Sequence, residues 1–262
     1  MSSPSLLSPQ SRTGPLFSSR GAVDLVAFPG AGTGASAFRD WRGALPADWR
    51  FTVVNLPGRE GSYGAPFATD MAAVADDIAA ELLDFRAGTA SPLVLFGHSM
   101  GGLLALLVAA RVPTAALVVA ACAPPGAHRY RYDPGDSRPD DDALREDVAE
   151  ALAAAGITEL IDEAADGVDE LLAEMVELAV PALRADIELL TSFQQLPHPL
   201  GCRILALYGD EDALDPEPWS AETTAAADHR VLPGGHFFVQ LSPDEVIAEL
   251  QRYVAPVPEG VR

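Results

Sequence analysis

Short apolar runs rich in β-branched residues alternate with helical patterns along most of the chain. This alternation predicts an α/β fold, with a mostly parallel central sheet and helices on both of its faces. Several runs are unbroken stretches of apolar residues, which is typical of parallel strands buried on both sides. The predicted strands are Asp24–Phe28, Phe51–Asn55, Leu93–Phe96, Ala116–Ala120, Arg203–Tyr208 and His229–Leu232.

The predicted helices follow from apolar residues spaced three and four positions apart. The pattern over Thr69–Phe85 has one apolar face, with Thr69 or Asp70 as the N-cap. The segment Met100–Ala110 is apolar on all sides, so we expect this helix to be buried. A last helix over Pro243–Tyr253 begins with proline, which is favoured at the first helical position.

Residues from about 133 to 196 contain no predicted strand but three helical patterns. The first begins at Asp140 and ends before Gly156, the second covers Val168–Ala179, and the third covers Pro181–Phe193. A helical insertion between two strands should pack over the carboxyl edge of the sheet, where α/β proteins bind their ligands. We therefore expect a lid over the functional site.

The length of 262 residues suits one domain of this class, and we assign it to residues 21–255. The first 20 residues are rich in Ser and Pro and are expected to form a disordered tail, as are residues 256–262. No apolar run approaches the ~18–20 residues that span a bilayer, and the amino terminus lacks the order of a signal peptide. We expect a cytoplasmic protein with no membrane partner.

The net charge of −21 argues against nucleic acid as a partner, since it would repel the phosphate backbone. The two cysteines, Cys122 and Cys202, lie at the edges of apolar runs and are expected to be free thiols. Neither has the sequence context of a catalytic thiol.

The residues from Gly97 to Gly101, Gly-His-Ser-Met-Gly, match the nucleophile-elbow pattern G-x-S-x-G. A predicted strand precedes them and an apolar helix follows, which is the context that this pattern requires. Such a sharp turn forces strained backbone angles on Ser99 and leaves no room for side chains at the two glycines. The sequence therefore predicts Ser99 as a nucleophile.

A serine hydroxyl needs a base, and five histidines are available. His236 lies in a glycine loop after the last predicted strand, where a base for Ser99 can be delivered. The acid should follow the preceding strand, where Asp210, Asp212 and Asp215 compete. The Gly-x-x-Asp spacing favours Asp212, with Asp210 as the main alternative, and the chain order Ser–Asp–His agrees with this fold.

Two backbone N–H groups should stabilise the oxyanion of the tetrahedral intermediate. Met100, directly after the nucleophile, supplies one of them. Ala31 is expected to supply the other, from the glycine-rich loop that follows the first predicted strand. That loop matches neither common phosphate-binding pattern. Such a site needs no metal and no cofactor.

These residues give the chain a clear resemblance to the type II, stand-alone thioesterases of polyketide and nonribosomal peptide synthases. It extends from about Val23 to Tyr253, and it implies an α/β-hydrolase fold. At Gly30 the chain departs from the family, whose members usually have histidine there. The resemblance rests on the motifs Phe28–Gly32, Leu56–Glu60, Gly97–Gly102, Pro181–Asp186 and Leu232–Phe238.

The resemblance implies an editing function, namely hydrolysis of stalled or wrong acyl groups from the phosphopantetheine arm of an acyl or peptidyl carrier protein. Two other functions are compatible with the residues: a small-molecule serine esterase with the same triad, and a non-catalytic binding protein of the same fold. Carrier proteins are commonly acidic, as this chain is, so docking should depend on local arginines and be weak. The candidates are Arg39, Arg42, Arg59, Arg129 and Arg131.

Overall fold

The computed structural model describes residues 5–9, 23–125, 127, 140–154, 168–214 and 216–254. They contain one seven-stranded sheet with helices on both faces. The strands are β1 Leu7–Pro9, β2 Val23–Phe28, β3 Trp49–Val54, β4 Leu93–His98, β5 Ala116–Ala120, β6 Arg203–Gly209 and β7 Ala227–Leu232. The helices are α1 Trp41–Ala44, α2 Met71–Phe85, α3 Met100–Ala109, α4 Asp141–Ala154, α5 Val168–Thr191, α6 Phe238–Leu241 and α7 Pro243–Val254.

The strand order is β1-β3-β2-β4-β5-β6-β7, and β2 to β7 run parallel. Every strand that the sequence predicts is present, so the expected mostly parallel sheet is confirmed. The register places Phe28 of β2 opposite Gly97 of β4, and His98 opposite Ala120 of β5. The carboxyl ends of these three strands are therefore level, and their loops leave the sheet side by side.

Alternate residues of each strand enter different core layers, because successive side chains point to opposite faces. In β4, Leu93 and Leu95 join the layer under α2 and α3, whereas Val94 and Phe96 join the layer under α1 and α7. Helix α3 is buried at every position, as its all-round apolar sequence predicts. Asp70 is the N-cap of α2, and its carboxylate accepts hydrogen bonds from two backbone N–H groups of the first turn.

The expectation of a disordered tail is wrong for residues 5–9, because Leu7–Pro9 forms β1 and pairs antiparallel with β3. Glu81 of α2 explains why this short segment is fixed. Its carboxylate accepts hydrogen bonds from the backbone N–H groups of Leu6 and Leu7, at 3.0 to 3.3 Å. The rest of residues 1–20, and the expected tail at 256–262, lie outside the described residues.

Helices α4 and α5 lie between β5 and β6, and we call them the helical insert. The prediction of separate helices over 168–179 and 181–193 is wrong, because α5 is continuous through Pro181. Proline lacks the N–H that would bond to the carbonyl four residues earlier. Burial of Val180, Ala182 and Leu189 offsets that loss by packing the helix on both sides of the proline. That the insert acts as a lid stays a prediction.

Among the residues described, no helix combines the length and hydropathy that crossing a membrane requires. Both cysteines are free, as expected, with Cys122 buried and Cys202 partly buried.

Candidate active site

Ser99 lies at the turn between β4 and α3, at the carboxyl edge of the sheet. Its backbone has φ 52° and ψ −124°, a conformation that residues with a side chain seldom adopt. Helix α3 begins directly after Ser99, so the backbone N–H of Met100 lies in the first turn, where an N–H group has no acceptor within the helix. The sharp strand-to-helix turn that the sequence predicts at Ser99 has therefore formed. That Ser99 acts as a nucleophile stays a prediction.

The two glycines of the elbow are required by close backbone contacts. A Cβ atom on Gly97 would lie 2.3 Å from the carbonyl oxygen of Gly101. A Cβ atom on Gly101 would lie 2.2 Å from the carbonyl oxygen of Phe28, at the end of β2. Both distances are far below van der Waals contact, so only glycine allows β4, α3 and the β2 loop to meet here.

His236 and Asp212 are brought together by the loops that follow β7 and β6. Nδ1 of His236 lies 3.1 Å from Oδ2 of Asp212 and 3.4 Å from Oδ1. The Asp212 side chain is 3% exposed and that of His236 is 36% exposed, so the carboxylate lies behind a ring that faces solvent. Burial opposes ionisation of Asp212, but the hydrogen bond and charge of His236 outweigh it and lower the pKa of this carboxyl.

Asp210, the main alternative for the acid, has a different contact. Its Oδ1 accepts a hydrogen bond of 2.8 Å from the backbone N–H of Gly234. This contact joins the β6 loop to the loop that carries His236. Of the two competing aspartates that the structure describes, Asp212 is the one in contact with the histidine. Asp215 lies outside the described residues.

His98 has a role that the sequence did not reveal. Its ring is buried, and Nε2 donates a hydrogen bond of 2.8 Å to the backbone carbonyl of His236. The two imidazole rings lie 5.2 Å apart. Burial, followed by the charge of His236, lowers the pKa of His98 to about 3, so the ring is neutral near pH 7. The position of His98 next to Ser99 in the Gly-His-Ser-Met-Gly motif is the sequence signal for a role at the site. The sequence could not identify its partner, which is 138 residues away in the chain.

The loop after β2 lies directly against Ser99. A Cβ atom on Gly30 would lie 2.9 Å from Nδ1 of His98 and 3.5 Å from Cβ of Ser99. A turn closes the loop, with the Thr33 N–H bonded to the Gly30 carbonyl at 3.2 Å. No described residue accepts a hydrogen bond from the N–H of Ala31 or of Met100. Both groups are free to donate to a ligand beside Ser99.

The Ser99 hydroxyl has no hydrogen-bond partner within the described ranges, so the expected contact with His236 is not formed in this conformation. Hydrogen bonds between nucleophile and base are often long before substrate binds, and they tighten in the complex. Within the same ranges, no group of three His, Cys, Asp or Glu side chains is placed to bind a metal ion.

The expectation that Arg59 contacts a carrier protein is wrong, because its side chain is buried against Asp186 of α5. A buried guanidinium needs a partner, and this pairing removes it from the surface. Arg39 and Arg42 are exposed, and Arg129 and Arg131 lie outside the described residues.

The model of the thioesterase domain family matches residues 23–253. The chain belongs to the thioesterase family. It is 31% identical to the thioesterase TesA of Mycobacterium leprae, over 87% of this chain and 85% of TesA. Membership of this family makes the protein a thioester hydrolase.

Solved structures of thioesterases share the fold. RedJ, a thioesterase of the prodiginine pathway in Streptomyces coelicolor, superposes with a TM-score of 0.73 at 31% identity, covering 88% of this chain and 90% of RedJ. BorB, the type II thioesterase of the borrelidin cluster, gives a TM-score of 0.73 at 26% identity, covering 97% and 99%. The resemblance to type II thioesterases that the sequence indicates is confirmed.

Proposed function

We propose that this thioesterase hydrolyses aberrant or stalled acyl groups from the phosphopantetheine arm of acyl or peptidyl carrier proteins during polyketide or nonribosomal peptide biosynthesis. The observation that carries the chemistry is the buried carboxylate of Asp212 against the partly exposed ring of His236, whose backbone carbonyl contacts His98, the residue before Ser99. The choice of substrate is supported by the similarity to RedJ, a thioesterase of the prodiginine biosynthetic pathway, and to BorB, a type II thioesterase of the borrelidin biosynthetic cluster.

In the proposed reaction, the hydroxyl oxygen of Ser99 attacks the carbonyl carbon of the thioester while Nε2 of His236 accepts the hydroxyl proton. The tetrahedral intermediate collapses, the C–S bond breaks, and the imidazolium returns the proton to the leaving thiolate of the phosphopantetheine arm. The acyl group is then an ester on Ser99. Water attacks this ester with His236 again as the base, which releases the carboxylic acid and restores the serine.

Asp212 has an electrostatic function in both halves of this reaction. Its lowered pKa keeps the carboxylate ionised at neutral pH, where it accepts the Nδ1–H of His236. That bond fixes the tautomer that presents Nε2 to Ser99, and the negative charge stabilises the imidazolium. The N–H groups of Ala31 and Met100 are assigned to the oxyanion of each tetrahedral intermediate. Ser99, His236 and water supply every reacting group, so the scheme calls for no metal or cofactor.

The carrier protein is proposed to dock weakly and transiently. Both proteins would be acidic, so long-range attraction would not assist their association. Of the five candidate arginines, Arg39 and Arg42 are the two that the structure describes as exposed, and we propose that they contribute to this contact. The cytoplasmic location expected from the sequence stays a prediction.

The test compares three substrates with the same acyl group: a carrier-protein thioester, a thioester of a small thiol and an oxygen ester. The carrier thioester should have the highest kcat/KM, and Ser99→Ala should lower its hydrolysis by ~10³-fold or more. Mass spectrometry should detect the acyl group on wild type and not on Ser99→Ala. Preference for the oxygen ester would favour a small-molecule esterase, and absence of an acyl-enzyme would favour a binding protein.

A further inference from the structure

Two sequence motifs that the proposed chemistry does not use meet beside the loop that follows β2. Arg59 comes from the Leu-Pro-Gly-Arg-Glu motif after β3, and Asp186 comes from the Leu-Arg-Ala-Asp motif in α5. They are 127 residues apart in the chain. Their contact joins the helical insert to the sheet, next to Gly32 and Thr33 in the loop after β2.

Arg59 and Asp186 form a two-bond ion pair that is closed to solvent. The distances are 2.5 Å from Nη1 of Arg59 to Oδ2 of Asp186 and 2.6 Å from Nη2 to Oδ1. Their side chains are 8% and 2% exposed. Nη1 also donates a hydrogen bond of 3.0 Å to the backbone carbonyl of Thr33, so the guanidinium contacts the β2 loop directly.

Asp186 also binds the loop itself. Its Oδ2 accepts a hydrogen bond of 2.8 Å from the backbone N–H of Gly32. Gly32 has φ +73°, and a Cβ atom there would lie 3.2 Å from Cβ of Leu183, one turn before Asp186 in α5. Only glycine satisfies both the positive φ and this close approach. One turn of α5 therefore fixes the position of Gly32.

The donor that we assign to the oxyanion, the Ala31 N–H, belongs to the peptide unit between Gly30 and Ala31. The next peptide unit carries the Gly32 N–H that binds Asp186. Ala31 lies between Gly30, which packs against His98 and Ser99, and Gly32, which is bound to Asp186. Once both neighbours are fixed, the Ala31 N–H has little freedom to turn. A donor of this kind is effective only when it is oriented before the oxyanion forms.

We propose that Asp186 is a positioning residue that orients the Ala31 N–H through Gly32, so that the oxyanion site is complete only when α5 is seated on the β2 loop. This inference rests on the proposed function, because it takes Ala31 as an oxyanion donor. If Asp186 served only to pair with the buried Arg59, its carboxylate would need no contact with the β2 loop. The hydrogen bond from Gly32 to the same carboxylate is the additional contact that reaches the active site.

The test uses a trifluoromethyl ketone analogue of the acyl thioester, whose adduct with a serine hydroxyl carries an oxyanion. An unreactive thioether analogue of the same shape reports substrate binding without that charge. Asp186→Ala should weaken trifluoromethyl ketone binding by about 10- to 100-fold, because a misplaced donor loses much of its effect. Thioether binding should change by less than about threefold, and kcat should fall while KM stays close to that of wild type.

Asp186→Asn and Glu177→Gln complete the series. The amide of Asp186→Asn still offers an oxygen to Gly32, so the loss of trifluoromethyl ketone affinity should be smaller, about three- to tenfold. Glu177 pairs with Arg145 between α4 and α5, at the exposed surface and away from the loop, so its variant should bind both analogues as wild type does. If Asp186→Ala does not fold, Asp186→Asn decides.

The proposal is overturned if the folded Asp186 variants bind the trifluoromethyl ketone within twofold of wild type, or if both analogues weaken equally. Either result would make the pair a purely structural contact. Failure of the proposed function gives a different pattern: the wild-type protein would then hydrolyse ester substrates but not carrier thioesters. The two analogues still report on Asp186 in that case, because neither contains a carrier protein.

Discussion

Nε2 of His98 donates a hydrogen bond to the backbone carbonyl of His236, so the residue before the proposed nucleophile supports the residue that we propose as its base. The contact crosses from the end of β4 to the loop after β7. It fixes the main chain of His236, while Asp212 fixes its ring. The position of the base is thus determined by two neighbours with separate functions, and each can be removed without the other.

Removal of the ring contact is tested by Asp212→Asn. We expect a folded protein whose turnover falls ~10⁴-fold, because the amide would favour the wrong tautomer of His236. Asp210→Asn is the matched control, since its amide oxygen can still accept from Gly234 and the loss should stay within about threefold. Steady-state kinetics on one acyl thioester compares them. A reversal of the two results would make Asp210 the acid.

Removal of the main-chain contact is tested by His98→Phe, which keeps a ring but lacks the N–H. The His236 carbonyl would lose its donor and its loop would shift, and we expect kcat to fall by about tenfold with a smaller effect on KM. His98→Gln offers a replacement N–H and should retain more of the activity. Equal kcat values for wild type and His98→Phe would show that the main-chain contact does not position the base.

His98 also makes stability depend on pH. The unfolded chain takes up a proton at this ring below its ordinary pKa of 6.5, whereas the folded protein does so only near a pKa of about 3. Acid therefore favours the unfolded state between these values, by about 1.4 kcal/mol per pH unit. Between pH 7 and pH 5, wild type should lose about 2 kcal/mol more unfolding free energy than His98→Phe. Urea denaturation at both pH values measures this, and parallel profiles would contradict it.

The elbow glycines permit a test of packing at the site. Gly101→Ala would place Cβ 2.2 Å from the Phe28 carbonyl oxygen, and relief requires the backbone of β2 or α3 to move. We expect a loss of about 1–3 kcal/mol in unfolding free energy, together with lower activity. Gly43→Ala in α1 meets no atom within 4 Å and should be neutral or stabilising. Thermal denaturation separates the pair, and similar melting temperatures would contradict the clash.

The sequence predicted the parallel strands well, because strands that are buried on both sides consist of unbroken runs of apolar residues. Ala116–Ala120 has the predicted bounds, and β2 differs by one residue. Strand β1 could not be predicted in this way, since its Ser and Pro content is typical of a tail and its anchor, Glu81, lies on α2. The break predicted before Pro181 followed local propensity, which tertiary packing overrode.

In the candidate site, too, local sequence patterns identified some residues, whereas contacts between distant residues could not be predicted. Ser99 and His236 follow from local motifs, and Asp212 follows from its spacing after β6. The pair between Arg59 and Asp186 could not be found by the same means, because nothing local relates residues that meet only after folding. Arg59 in a loop motif suggested a solvent-exposed cation, and burial of both partners changed that assignment.

The anchoring of β1 by Glu81 bears on how the protein should be prepared. The family match begins at residue 23, so a truncation designed from it would delete β1. Strand β3 would then become the border of the sheet, with a row of backbone N–H and C=O groups available to another chain. Removing the amino-terminal residues would therefore expose an unpaired strand edge that favours aggregation. An affinity tag is better placed at the carboxyl terminus.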